Sequence, residues 1–288
     1  MLKEKNWYIL FLLPTVLMFT FVGLFPLCYQ AYLSFRQYNF ARPWYPSGWI
    51  GLRNFHEILK DPFVWNSLQV TFIFVSAAVS IEFIFGLGIA LLFSREEKKG
   101  KFIARTLIMC SMILPPVSVA LIWKYLLNNS FGVVAIFLGR LGFTSDWYGG
   151  VKSALPTMIL IDVWEWTPFV FLILLAGIIS LPVNIYETAR MDGASKWQIF
   201  TYITLPLLKP VMLIALLLRI IDALKVFDTI WILTRGGPIR VTEVYSVRIY
   251  RQGFEYFNMG RAAALSFIFL AISICLTVTF IKVSKFEI

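Results

Sequence analysis

Two stretches of this chain carry no charged residue, Asn6–Phe35 and Ala262–Ile281. About 20 consecutive apolar residues in a helix cross the roughly 30 Å of hydrocarbon in a bilayer. Both stretches meet that length, and a backbone in hydrocarbon has to satisfy its own N–H and C=O groups, as a helix does. Composition agrees: 59% of residues are hydrophobic and 15% charged, against about half and about a quarter in soluble domains. The first stretch exceeds the apolar region of a signal peptide, about 7–15 residues, so it is expected to stay as a first spanning helix. The expected fold is all-α and polytopic, a single transmembrane domain over residues 1–288.

The spans read as Trp7–Ser34, Val64–Phe93, Phe102–Leu127, Ser153–Ile179, Pro210–Leu233 and Gly260–Ile281, six in number. An even number puts both termini on one side. Lys and Arg are near parity between the two sides, so the bulk count does not orient the chain. The compact turn with Arg95, Lys98, Lys99 and Lys101, together with Lys3, Lys5, Lys282 and Lys285, favours both termini in the cytoplasm. The longer outer loops hold Trp44, Trp49, Trp147 and Tyr148, suited to the headgroup level or to an external partner. The formal charge of +10 is read as cationic loops beside anionic lipid, not as a nucleic-acid surface. Cys28, Cys110 and Cys275 sit at scattered positions in apolar segments, a pattern of neither a disulfide framework nor a metal site.

Between the fourth and fifth spans lies the polar segment NIYETARMDGASKWQIF, Asn184–Phe200. Asn184 with Glu187, and Ser195 with Gln198, have capping-box spacing. Gly193 stands where a first short helix ends in a left-handed residue. Pro206 and Pro210 mark a break before the fifth span. Pattern alone leaves two readings, an amphipathic hairpin lying on lipid and a docking surface for a soluble partner.

Charges within the spans carry a second signal: Glu82, Asp162, Glu165, Arg219, Asp222, Lys225 and Asp228. Ionisable groups at membrane depth face the bundle interior or water. Arg219, Asp222, Lys225 and Asp228 alternate in sign at i,i+3 spacing, fit either for a structural ion-pair ladder or for lining a solute route beside Trp164, Trp166 and Phe227. Glu82 is read as structural. Arg105 and Lys124, near the ends of the third span, are expected to snorkel. Pro115 and Pro116 should kink that span. His56, the one histidine, is expected at the surface. No G-x-x-x-x-G-K-[ST] phosphate loop occurs, GGVKS at Gly149–Ser153 lacking its spacing, so ATP hydrolysis by this chain is not expected. An ion-coupled secondary transporter and a membrane enzyme on lipid-linked sugars, with Asp162 and Glu165 as its acid pair, stand as alternatives to an ATP-driven importer.

Glu187, Ala189, Gly193, Ile203, Leu205 and Pro206 stand at the spacing E-A-A-x3-G-x9-I-x-L-P, with Thr188 at the second alanine, and Asp192, Ala194 and Phe200 fit its longer form. This resembles the cytoplasmic-loop signature of ABC importer permeases. KVFDTIWILTRGGPIRVTEV (Lys225–Val244), IYRQGFEYFNMGRAAALS, WEWTPF at Trp164–Phe169 and FPLCYQAYLSF resemble the carbohydrate-type permeases of maltose, other oligosaccharide and glycerol-phosphate importers. The likeness covers nearly the whole chain.

The resemblance implies a coupling loop over residues 181–209, in which Glu187, Ala189, Asp192, Gly193 and Ala194 dock on a separate ATPase. It places a substrate pathway near Asp222, Lys225, Trp164, Glu165 and Arg219. It implies a non-catalytic permease forming half of the translocation pathway for a sugar or related solute. The implied partners are a second homologous permease, two cytoplasmic ATPase subunits and an extracytoplasmic solute-binding protein, in a bacterial or archaeal plasma membrane. ATP and Mg would then belong to the ATPase, with no cofactor on this chain. The TRGGP turn, with Gly236, Gly237 and Pro238, is read as an outer loop that meets the binding protein or its released solute.

Overall fold

The computed structural model describes residues 7–42, 44, 48–94 and 99–284. Lys3, Lys5, Arg95, Lys98 and Lys285, and the side chains of Lys99 and Lys101, lie outside the description. Among the described residues the protein is helical throughout, with no strand beyond two isolated bridges.

Helix α1 (Trp7–Met18) runs through a π turn (Phe19–Leu24) into α2 (Phe25–Ser34) without interruption. The turn has a local cause. Pro26, second in α2, lacks an N–H, and its ring would strike the carbonyl four residues back. Widening the preceding turn, so that the Phe25 N–H bonds the Thr20 carbonyl, relieves that clash. Helix α3 (Arg53–Lys60) is short and lies before α4 (Pro62–Phe93). Then follow α5 (Lys99–Ile113), α6 (Pro116–Leu126), α7 (Val133–Arg140), α8 (Ala154–Ile179), α9 (Val183–Met191) and α10 (Lys196–Ile199). A second π turn (Phe200–Thr204) leads into α11 (Leu205–Leu224), followed by α12 (Asp228–Leu233), α13 (Tyr245–Tyr250), a third π turn (Arg251–Glu255) and α14 (Met259–Val283).

Among the described residues, four helices are long and apolar enough to cross a membrane: Phe11–Ser34, Pro62–Phe93, Ala154–Ile179 and Met259–Val283. A fifth is reached if α5 and α6 count as one span, bent by 99° where Pro115 and Pro116 stand. The expected proline kink is therefore present, and far sharper than a bend within one helix. The sixth expected span, Pro210–Leu233, is divided: α11 ends at Leu224 and α12 begins at Asp228. Lys209, Arg219 and Asp222 keep α11 polar for its length. The expected break at Pro206 is absent. A π turn absorbs that proline as it does Pro26, with the Leu205 N–H bonded to the Phe200 carbonyl, so the chain stays helical from Lys196 to Leu224.

The chain divides into two compact units. One joins the chain up to Trp65 with Arg248–Ile272. Its centre is Asp61, which caps α4: its Oδ1 accepts the Phe63 N–H at 2.9 Å, and Pro62 fills the first helical position, where no N–H is needed. The Oδ2 of the same carboxylate accepts Arg248 Nη2 at 2.7 Å and Arg261 Nη2 at 2.5 Å. Buried Asn54 donates to the Ser34 and Arg36 carbonyls at 2.8 and 3.0 Å. His56 is exposed, and Trp49 stacks on Phe35 with ring centroids 5.4 Å apart.

The other unit is Asn66–Val247 with the chain from Ser273. Ala90, Val170, Phe171, Leu174, Leu175, Leu208 and Ala215 form its apolar centre, where α4, α8 and α11 meet. Small residues allow the approach, as in membrane helix pairs generally. A Cβ on Gly86 would stand 2.8 Å from Val170, and one on Gly177 would stand 2.7 Å from Leu208. Arg105 and Lys124 each reach a backbone carbonyl. Arg105 donates to the Phe93 carbonyl at 3.1 Å, closing the C-terminus of α4, and Lys124 donates to the Ile232 carbonyl at 3.2 Å, tying α6 to α12.

Gly260 gives a test of the first unit, since a Cβ there would stand 2.1 Å from the Arg36 carbonyl oxygen. Gly260→Ala is expected to destabilise the protein by about 1–3 kcal/mol, the range of overpacking substitutions. Gly253→Ala serves as control, because its Cβ would meet Ala262 at an ordinary 3.5 Å. Thermal unfolding in detergent measures both, and equal midpoints would contradict the close packing.

Candidate functional site

The charged residues of the spans converge on Arg219. Its side chain is 1% exposed, lying where α11 faces α4 and α8. The guanidinium donates through Nε to Glu82 Oε2 at 2.6 Å and through Nη2 to Glu82 Oε1 at 3.0 Å, a two-pronged pair. Nη2 also donates to Asp162, and Nη1 donates to Asp222 Oδ2 at 3.0 Å. The ring of Trp166 lies under the guanidinium, 5.0 Å from its carbon to the centroid. Arginine suits this position because its planar fork serves several carboxylates at once and stays charged when buried.

Helical geometry decides which residues of α8 take part. At 100° per residue, Asp162, Glu165 and Trp166 share one face, and Trp164 points away. Trp164 is half-exposed, packs edge-on against Trp123 at 5.5 Å, and lines a separate, largely apolar cleft of about 490 Å³ with Phe85, Leu107, Cys110 and Thr167. The expected grouping of Trp164 with the charges is corrected: Trp166 is the aromatic partner of Arg219. Its signal in the sequence was the i,i+4 spacing from Asp162. Glu82 is buried at the centre of the same cluster.

The expected ladder of Arg219, Asp222, Lys225 and Asp228 forms only its first rung. Helix α11 ends at Leu224, with Lys225 as its C-cap at φ −91° and ψ 4°, so i,i+3 spacing no longer aligns side chains beyond it. Asp222 pairs back to Arg219, and its side chain is 46% exposed. Lys225 and Asp228 are exposed, and among the described residues neither makes an ion pair. Glu165 is buried on the same face of α8 as Asp162 and makes no hydrogen bond among the described residues.

A second candidate surface is the segment joining α8 to α11. Helix α9 starts after Pro182, so Asn184 lies inside its first turn and the Asn184–Glu187 capping box is not formed; the Asn184 carbonyl accepts the Thr188 hydroxyl. The Ser195 box is complete: Ser195 Oγ accepts the Gln198 N–H at 3.3 Å, and Gln198 Oε1 accepts the Ser195 N–H at 2.8 Å. Gly193, at φ +77°, ends α9 as expected. The Gly193 N–H bonds the Arg190 carbonyl and the Ala194 N–H bonds the Ala189 carbonyl, satisfying the last turn. Glu187, Asp192 and Gly193 are exposed, and Ala189 and Ala194 are half-buried. Met191 at 89% and Trp197 at 70% exposure add apolar surface beside these charges. Tyr186 and Thr204 join hydroxyls at 3.2 Å, fastening α9 to the π turn.

The TRGGP turn is closed on itself. Thr234 and Thr242 pair hydroxyls at 2.7 Å, Thr242 donates to the Gly237 carbonyl at 2.7 Å, and Asn66 Nδ2 donates to the Arg240 carbonyl at 3.2 Å. Gly236 takes φ +80° and is buried, where a Cβ would meet Glu243 at 3.2 Å. Gly237 and Pro238 are half-buried, and Ile239, 85% exposed, forms the outward tip.

Removing Arg219 tests the cluster. Arg219→Ala leaves Glu82 and Asp162 buried without their cation and is expected to destabilise the protein by about 3–5 kcal/mol. Asp222→Asn, at a half-exposed rung, should cost at most about 1 kcal/mol. Thermal unfolding and the yield of folded protein in membranes report both, and equal effects would refute the central role of Arg219.

Residues 82–283 match the family described as the binding-protein-dependent transport system inner membrane component. The chain is 38% identical over 242 residues to a trehalose/maltose transport system permease protein of Thermococcus litoralis, covering 83% of this chain and 80% of that one. It is 32% identical over 281 residues to a trehalose transport system permease protein of Mycobacterium tuberculosis, covering 98% and 89%. A chain of a bacterial alginate ABC transporter, crystallised with an alginate pentasaccharide-bound periplasmic protein, shares the fold with a TM-score of 0.84 at 24% identity, over 98% of this chain and 95% of that one. These likenesses set aside the ion-coupled transporter and the lipid-linked-sugar enzyme. The chain belongs to the family of binding-protein-dependent transport system inner membrane components and is a permease of an ABC importer.

Proposed function

We propose that this permease forms half of the translocation pathway for a sugar or related solute, delivered by an extracytoplasmic solute-binding protein. Support for a sugar comes from the relatives named for trehalose and maltose transport. In this reading α11 and α12 together complete a sixth span, both termini lie in the cytoplasm, and residues 1–288 act as one transmembrane domain. A second homologous permease supplies the other half of the route. Two cytoplasmic ATPase subunits bind ATP and Mg, and this chain binds no cofactor and performs no hydrolysis itself.

One observation carries the coupling role: the segment of α9, Gly193 and α10 is capped on both sides of its bend yet projects its charged and apolar side chains outward. A lipid-lying hairpin would need its apolar residues on a single face, whereas here Glu187 and Asp192 are interleaved with Ile185, Met191 and Trp197. Such a mixed, rigid surface fits a protein groove. Glu187 and Asp192 would meet basic partner residues, which favours charge-guided docking. On the opposite side of the membrane, Ile239 and Arg235 at the tip of the TRGGP turn would meet the binding protein, with Gly236, Gly237 and Pro238 shaping the turn behind them.

Gly193→Val forces a β-branched residue into a left-handed position, at a cost of about 1–2 kcal/mol in the local bend. Together with Glu187→Lys, it is expected to reduce co-purification of the ATPase at least about tenfold, corresponding to roughly 1.4 kcal/mol of docking energy, with membrane insertion intact. Normal ATPase recovery with either substitution would refute the docking role of that residue. For topology, Ile239→Cys in a background lacking Cys28, Cys110 and Cys275 should react with an impermeant thiol reagent in intact cells. Labelling only after the cytoplasmic face is opened would invert the orientation.

A further inference from the structure

The sharp turn after α5 leaves a gap beside it. Beyond Ile113 the chain bends by 99° at Pro115 and Pro116, and the cleft of about 490 Å³ next to Trp164 opens between α5, α8 and the facing turns of α4. Successive turns line it, with Leu107, Cys110 and Leu114 on one side and Leu160, Trp164 and Thr167 on the other. Cys110, Ser111 and Thr167 donate to the Thr106, Ile108 and Val163 carbonyls of their own helices. Those groups are satisfied without a water or a solute hydroxyl, and the wall they leave is apolar. Leu107, Cys110 and Leu160 are exposed along its open side.

Two features identify the occupant. The groove is short: from Arg105 to the end of α5 at Ile113 the helix rises about 12 Å at 1.5 Å per residue, close to half of the roughly 30 Å of hydrocarbon. A partner's spanning helix needs a groove of full depth, whereas one lipid tail reaches only the midplane. The outer end of the groove is also basic. Helix α5 carries Lys99, Lys101 and Arg105 in its first two turns and no acid in Lys99–Ile113. We propose that this cleft holds one acyl chain of an anionic phospholipid, with its headgroup at the basic start of α5 and its tail running past Leu107 toward Leu114. A tail gains little by exchanging lipid neighbours for apolar side chains. Preference for the site is therefore set by the headgroup, about fivefold for each Lys or Arg near the anionic charge.

The probes are phosphatidylglycerol and phosphatidylcholine with the same diazirine-bearing tail, in nanodiscs holding the transporter assembled with its partner permease and ATPase. After irradiation, mass spectrometry locates the adducts. Adducts in 107–114 and 160–168, relative to those elsewhere in the chain, are expected at least about tenfold more often with phosphatidylglycerol. Lys99→Gln with Lys101→Gln should cut that preference at least about fivefold. Cys110→Trp, which fills the cleft, should remove the adducts with either lipid. If Cys110→Trp fails to assemble, the lysine pair decides alone. Equal adducts from the two lipids, or a preference that the lysine substitutions leave unchanged, overturns the proposal. So does an absence of adducts in both segments, which would mark the cleft as covered by the partner permease.

Discussion

A guanidinium buried among helices is stable only while its counter-charges stay in place, and the larger unit is built under that condition. Arg219 draws on α4 through Glu82, on α8 through Asp162 and on its own helix through Asp222. Removing one partner of such a pair is far more damaging than the pair is stabilising, because the remaining charge has no water to turn to. The three helices thereby have a defined register at this depth. Apolar packing around Leu174 and Leu208 supplies contact area, but hydrophobic side chains in lipid have little preference between a neighbouring helix and an acyl chain. The polar centre selects one arrangement.

The smaller unit uses the same chemistry near a helix end. Asp61 caps α4 and binds two arginines from the later part of the chain. A single carboxylate joins residues almost two hundred positions apart in sequence. In both units, a polar contact between distant segments stands where the surrounding apolar surface alone would leave their register loose.

Much of this was legible in the sequence because the bilayer restricts the possibilities. The first and last spans, read around the charge-free runs, match the long helices there to within two residues, and Gly193 and Ser195 announced the bend and the second short helix through residue types with few other uses. The misreadings share a cause, which is that neighbours in the chain were read without the geometry of the helix that carries them. Lys225 was grouped with Asp222 because three residues separate them, but α11 ends at Leu224. Trp164 was grouped with Asp162 by proximity in the chain, although the helix turns it to the other face. Pro206 looked like a break, and the π turn before it absorbs the proline instead. The pairing of Arg219 with Glu82 spans 137 positions, and no local pattern reports a contact of that separation.

The π turn at Phe200–Thr204 has a mechanical consequence. Had Pro206 broken the chain, the exposed tip at Ser195 and the helix bearing Arg219 would be joined by a hinge, and a push on one would be lost in the other. With the widened turn in place, Lys196–Leu224 is one continuous rod, about 40 Å long at 1.5 Å per residue. The charge hub sits near one end of this lever arm and the capped tip forms the other. A tilt of a few degrees at the tip therefore reaches the guanidinium as a shift of an ångström or more (about 40 Å times the angle), comparable to the tolerance of its hydrogen bonds. The ion cluster that fixes the resting register thus lies at the far end of the rod from the tip and shifts with it.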